Sequence, residues 1–79
     1  MRILDQDSGN KLDNVIIYLT KAELKKFIDF ASELLDKKSA DHCHLSNKDY
    51  TKEITICIYD PENIKMFDER SKKLILEDK

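Results

Sequence analysis

Two periods run through the apolar positions of this chain. In "EITICIY", Ile54, Ile56 and Ile58 alternate with Thr55, Cys57 and Tyr59, the period of two that a strand with one buried face requires. In "LTKAELKKFIDFASELL", Leu24, Phe27, Ile28, Ala31, Leu34 and Leu35 recur at spacings of three and four, the stripe of an amphipathic helix. Lys25, Lys26, Asp29, Glu33 and Asp36 fall on its other faces. Thr20 and Glu23 form a capping box at the start: the hydroxyl can accept the N–H of residue 23 while the carboxylate reaches back to the N–H of residue 20. Lys37 and Lys38 suit the negative end of the helix dipole, and Ser39 and Asp41 lead out of it.

Around these two elements the rest of the chain arranges itself. "MRIL" is short and apolar, "DQDSGN" is rich in turn formers, and "NVIIYL" is β-branched and aromatic, so residues 1–19 are predicted as a hairpin with its tip near Ser8, Gly9 and Asn10. "HCHLS" is predicted as a short strand joined by the polar "NKDYTK" to the isoleucine strand. Asp60, Pro61 and Glu62 have the chemistry of an N-cap, a first helical turn and its positive end. Ile64, Phe67, Leu74 and Ile75, with Ser71 as a small spacer, supply the stripe of a second helix. The expected fold is therefore α+β: a ββαββα chain, each helix about 17 residues long, with a four-stranded, mainly antiparallel sheet carrying both helices on one face. No linker or low-complexity segment divides it, and residues 1–79 are expected to form a single domain.

The alternation assigns side chains to faces. With Ile54, Ile56 and Ile58 toward the helices, Thr55, Cys57 and Tyr59 face the other way. A partner strand "HCHLS" would then put Cys43 and Leu45 on the core side and His42, His44 and Ser46 beside Cys57. In "NVIIYL", Val15, Ile17 and Leu19 are expected inward and Ile16 and Tyr18 outward. Ile16, Tyr18, His42, His44, Cys57 and Tyr59 are thus the candidates for one exposed binding patch, anchored by aromatics and poor in long charged side chains.

Composition narrows the roles such a patch can have. The chain has 79 residues, 41% of them hydrophobic and 38% charged, a balance that favours folding over disorder. A chain of this size buries only about 60% of the surface its unfolded form exposes, which favours stability shared with a partner. Fourteen basic against sixteen acidic residues give a net charge of −2 without a basic block, which disfavours nucleic acid as a partner. Nothing approaches the roughly 20 apolar residues of a membrane span, and no apolar leader precedes Asp5 and Asp7. Two cysteines outside any C-x-x-C pattern read as reduced thiols, and the expected location is a bacterial cytoplasm.

Candidate chemistry centres on the same face. His42, His44 and Cys57 could supply three zinc ligands, with Glu53, Tyr59, water or a second subunit as the fourth, and this metal site is the main alternative to a binding surface. An H-x-H pair without C-x-x-C or H-E-x-x-H is a weak signal, so no cofactor is expected. Nucleophilic catalysis by Cys57 or Cys43 would need a base, a pocket and an oxyanion hole, and only the base is visible. The chain is expected not to be an enzyme. Acidic pairs such as Asp68 with Glu69, and the lysine pairs at 25, 37 and 72, read as solvated charge. Phe27, Phe30 and Phe67 read as core or core margin.

The runs "YLTKAELKKFIDFASELL", "HCHL" and "KEITICIYDPENIKMF" together resemble a group of short, uncharacterised bacterial ββαββα proteins and, more distantly, immunity proteins of bacterial toxin systems. The shared motifs are structural: a capping box, alternating strands and an N-cap. The resemblance implies the ββαββα fold and a protein partner such as a toxin, and it transfers no site residue. The expected function is a non-catalytic protein-binding module that uses its open sheet face for homodimerisation or to bind and inhibit a partner. Since histidine ordinarily titrates near pH 6.5, charging His42 and His44 within a contact is expected to weaken it in acid.

Overall fold

The computed structural model describes residues 1–36 and 42–79. The expected helix end at Lys37 and Lys38, with Ser39 and Asp41 beyond it, lies outside the described residues. Element order is β1 (Ile3–Leu4), β2 (Lys11–Leu12), α1 (Lys21–Asp36), β3 (His42–Ser46), β4 (Glu53–Cys57) and α2 (Glu69–Glu77). The α+β class and the ββαββα order are as expected. The strands, however, pair as two separate two-stranded antiparallel sheets, β1–β2 and β3–β4, rather than as one four-stranded sheet. The chain resolves into two compact units, Met1–Ile17 with Tyr59–Lys79, and Tyr18–Ile58.

The first unit holds the β1–β2 hairpin and α2. The expected hairpin is present with its tip where the turn formers lie, but its second strand is Lys11–Leu12 and not "NVIIYL". Register explains the difference. Ile3 pairs with Leu12 and Leu4 with Lys11, so paired residue numbers sum to 15 and Met1 already stands at the level of Asn14. Nothing in β1 remains to pair with residues 15–19, and strand propensity without a partner forms no strand. Val15 and Ile17, expected inward, are 50% and 48% exposed, and Ile16 and Tyr18 are 76% and 88% exposed.

The tip is tied by Asp5. Its carboxylate accepts from the Asp7 N–H at 3.0 Å and from the Ser8 hydroxyl at 2.8 Å, and the Gly9 N–H donates to the Asp5 carbonyl at 2.8 Å. Gly9 has φ +77°, a left-handed conformation that penalises any Cβ.

The second helix begins eight residues later than expected and runs for nine residues. Asp60 and Pro61 do make a cap, but of a turn: the Asp60 carboxylate accepts from the Glu62 N–H and its carbonyl from the Asn63 N–H, both at 2.9 Å. Asp and Pro are equally suited to the first two positions of a type I turn, so the same residues serve both structures. A second turn closes from the Phe67 N–H to the Ile64 carbonyl at 3.1 Å. The N-cap is Asp68, which accepts from the Ser71 N–H at 2.8 Å. Ile64 and Phe67 therefore precede the helix, while Ser71, Leu74 and Ile75 lie on it, Leu74 buried.

Two arginines join α2 to the hairpin. Arg2 donates from Nε to the Leu74 carbonyl at 2.9 Å, which also accepts from the Asp78 N–H at 2.9 Å, and from Nη2 to the Ile75 carbonyl at 3.2 Å, a cation at the negative end of the helix. Arg70 donates to the Gly9 carbonyl at 2.8 Å.

The second unit is built on packing. The Thr20–Glu23 capping box forms in both directions: Thr20 N–H to Glu23 Oε1 at 2.9 Å, and Glu23 N–H to Thr20 Oγ1 at 3.2 Å. Helix α1 lies on β3. Its buried side is Phe27, Phe30, Ala31 and Leu34, spaced three, one and three, with Leu34 the most enclosed. The expected stripe is thus rotated toward Phe30, and Leu24, Ile28 and Leu35 emerge on the surface at 48%, 55% and 80% exposure.

Candidate functional site

The β3–β4 hairpin positions the candidate side chains. Its register pairs His42 with Cys57, Cys43 with Ile56, His44 with Thr55, Leu45 with Ile54 and Ser46 with Glu53. Cys43, Leu45, Ile54 and Ile56 share the side toward α1, with Leu45 buried and the other three half-buried. Strand alternation then puts His42, His44, Ser46, Glu53, Thr55 and Cys57 on the opposite face. Ile58, expected on the core side, lies just beyond β4 and is 47% exposed.

On the open face the imidazole of His44 is held by its cross-strand neighbours. Nδ1 stands 2.8 Å from Thr55 Oγ1 and 3.0 Å from Glu53 Oε1, and the Thr55 hydroxyl donates to the same carboxylate oxygen at 3.3 Å. A carboxylate only accepts, so this geometry assigns the proton to Nδ1 and, in the neutral ring, the lone pair to Nε2. The ring of His42 meets that of His44 edge-on, centroids 5.1 Å apart and planes at 74°. Both cysteines are thiols, Cys43 half-buried and Cys57 exposed.

Sequence reasoning placed both histidines on this face beside Cys57, and the register brings those three together. It placed Thr55 on this face and named Glu53 as a possible fourth zinc ligand, but it missed that both hold the His44 imidazole. Tyr18 belongs to the same unit but to no strand; it lies in the segment before α1. Ile16 and Tyr59 belong to the other unit.

A carboxylate on Nδ1 is the support that a metal-binding imidazole commonly has. Among the described residues, however, no three His, Cys, Asp or Glu side chains converge as metal ligands.

An open cleft of 580 Å³ in this unit lies elsewhere, between the start of α1 (Thr20, Ala22, Glu23, Lys26) and the end of β3 with its following turn (Ser46, Asn47, Lys48, Tyr50). It contains no His or Cys. No helix among the described residues is long and apolar enough to cross a membrane. The chain matches no protein-family model, no curated protein and no solved structure closely enough to support an inference.

Proposed function

We propose that this chain is a small non-catalytic protein-binding module, and that the open face of the β3–β4 hairpin is where its partner docks. The observation that carries this reading is an imbalance of burial. Among the described residues, three large hydrophobics, Leu34, Leu45 and Leu74, are buried, whereas thirteen, Tyr18 among them, are exposed. Scattered apolar residues on a surface are ordinary, but so small a buried set leaves stability to be completed by association. Thr55 and Glu53 fix His44 in one orientation, and His42 stacks edge-on against it, so the face is pre-organised and loses little side-chain freedom on binding. The partner is a second copy or another protein, such as a toxin that this chain would hold inactive in a bacterial cytoplasm.

Parallel affinity capture from extracts of the source cells tests this, with wild type, His42→Ala and Tyr18→Glu as baits. The expected result is a protein retained by wild type and lost with His42→Ala. Capture that is indifferent to His42→Ala would remove the hairpin face from the contact.

A further inference from the structure

We propose that α1 pairs antiparallel with α1 of a second copy of this chain, through the ridge of Leu24, Ile28, Ala31 and Leu35. This goes beyond the binding role of the hairpin, because it uses a different surface. The ridge spacings are four, three and four, the repeat of a helix–helix seam. Leu24, Ile28 and Leu35 are 48%, 55% and 80% exposed, and Ala31, half-buried, borders the side of α1 that packs on β3, whose Phe27, Phe30 and Leu34 are covered.

The seam is self-complementary in one direction. About a two-fold axis midway between residues 29 and 30, Leu24 meets Leu35 of the second copy and Ile28 meets its Ala31, since each pair sums to 59. Large residues meet at both ends, and a large residue meets a small one beside the axis, which lets the helices approach closely.

Charge selects the same direction. At 3.6 residues per turn, Lys21, Lys25, Ser32 and Asp36 lie along one flank of the seam, the two lysines in its N-terminal half and the aspartate at its C-terminal end. All four are exposed. In the antiparallel pairing Asp36 of the second copy stands at the level of residue 23, within about 3 Å along the axis of both Lys21 and Lys25. A parallel pairing would instead set this flank against the opposite flank of the second copy, so that Asp36 would meet neither lysine. The opposed helix dipoles also favour the antiparallel arrangement. A single helix pair lies at the small end of specific interfaces, so the dimer is expected to be weak, with Kd on the order of 10 μM or higher.

Sedimentation equilibrium of the full chain, from about 10 μM to 1 mM, tests the pairing. Wild type should dimerise across this range, and Leu35→Glu should remain monomeric, far-UV circular dichroism confirming that it is folded. Asp36→Lys alone, and Lys21→Glu with Lys25→Glu alone, should each weaken self-association about tenfold or more, whereas an equimolar mixture of the two should form a heterodimer at least as tight as wild type. A monomeric wild type at 1 mM overturns the proposal. So does a dimer that survives Leu35→Glu, and the same dimer lost with His42→Ala would place self-association on the hairpin face. A mixture no tighter than its components would overturn the antiparallel register.

Discussion

The two hairpins of this chain are stabilised by different physics. In β3–β4, five residues pair with five, and a helix lies on one face, so Leu45 and Leu34 are sealed between layers. In β1–β2, two residues pair with two, and polar groups hold it: the Asp5 carboxylate ties the tip while Arg2 and Arg70 reach carbonyls of α2 and of Gly9. A two-stranded ribbon is marginal in water unless a helix or further strands complete it. The longer hairpin meets that requirement by burial and the shorter one by hydrogen bonds, so the two should respond to opposite kinds of mutation.

The largest effect is expected in the packed unit. Leu45→Ala removes the side chain that β3 buries against α1 and should cost about 2–5 kcal/mol, a large fraction of the stability available to so small a fold. Urea denaturation followed by circular dichroism measures it. A loss below about 1 kcal/mol would mean that α1 does not depend on β3, and the contrast between the hairpins would fail.

Arg2→Ala probes the other unit. It removes two charged donors from the carbonyls of Leu74 and Ile75 at the end of α2. These groups are partly solvated, so the expected cost is about 1–2 kcal/mol, seen as earlier fraying of α2 with no change in β3–β4 amide protection. Equal loss of protection in both hairpins would break the distinction.

What could be read from the residues follows the same division. The β3–β4 pairing, the faces of His42 and His44 and the capping box at Thr20 were legible because strict alternation and paired side chains encode them locally. The β1–β2 register was not, because "NVIIYL" has the composition of a strand and only the shortness of "MRIL" denies it a partner. The start of α2 was misplaced because Asp60 and Pro61 fit a turn as well as they fit a helix. Asp68 with Ser71 three residues on was the better N-cap signal. The roles of Arg2 and Arg70 were not legible because their partners are backbone carbonyls, which no residue type announces. At the candidate site, the support of His44 by Glu53 and Thr55 depends on cross-strand register and becomes visible only once that register is known.

The hairpin tips sharpen the comparison with opposite signs. Each places one residue in the left-handed region, Gly9 at φ 77° and Tyr50 at φ 59°. No atom lies within 4 Å of a Cβ built on Gly9, so Gly9→Ala should cost only backbone strain, about 1 kcal/mol. Tyr50 is 84% exposed and carries that strain already, so Tyr50→Gly should raise stability by up to about 1 kcal/mol, less the added entropy of the unfolded chain. Thermal melts of the two variants should shift in opposite directions, and a shared direction would show that the tips are not equivalent.

The smallest effect expected is acid loosening, and it too should be unequal. Asp5 is held below the ordinary carboxyl value of 3.8 chiefly by the Ser8 hydroxyl and then by the Asp7 and Ser8 N–H groups. Asp68 is held below it by the Ser71 hydroxyl and N–H, and Asp49, in the β3–β4 turn, by the hydroxyl and N–H of Thr51. A carboxyl with a lowered folded-state pKa binds fewer protons folded than unfolded. Its contribution is therefore complete above the ordinary value and is lost as pH falls through 3.8 toward the lower folded one. Two of these three groups lie in the β1–β2 and α2 unit, where they fix a hairpin tip and a helix start, while Asp49 fixes only a turn beyond strands that burial already holds. Titration from pH 5 to about pH 2, followed by amide chemical shifts, should show Ser8, Gly9 and Ser71 changing while Cys43 and Ile56 stay constant. Asp5→Asn keeps an acceptor oxygen but cannot be protonated in this range, so it should silence the response at Ser8 and Gly9 and leave that at Ser71. An unchanged response in Asp5→Asn would remove Asp5 as its source, and simultaneous change at Ile56 would show that the packed hairpin has no independent hold.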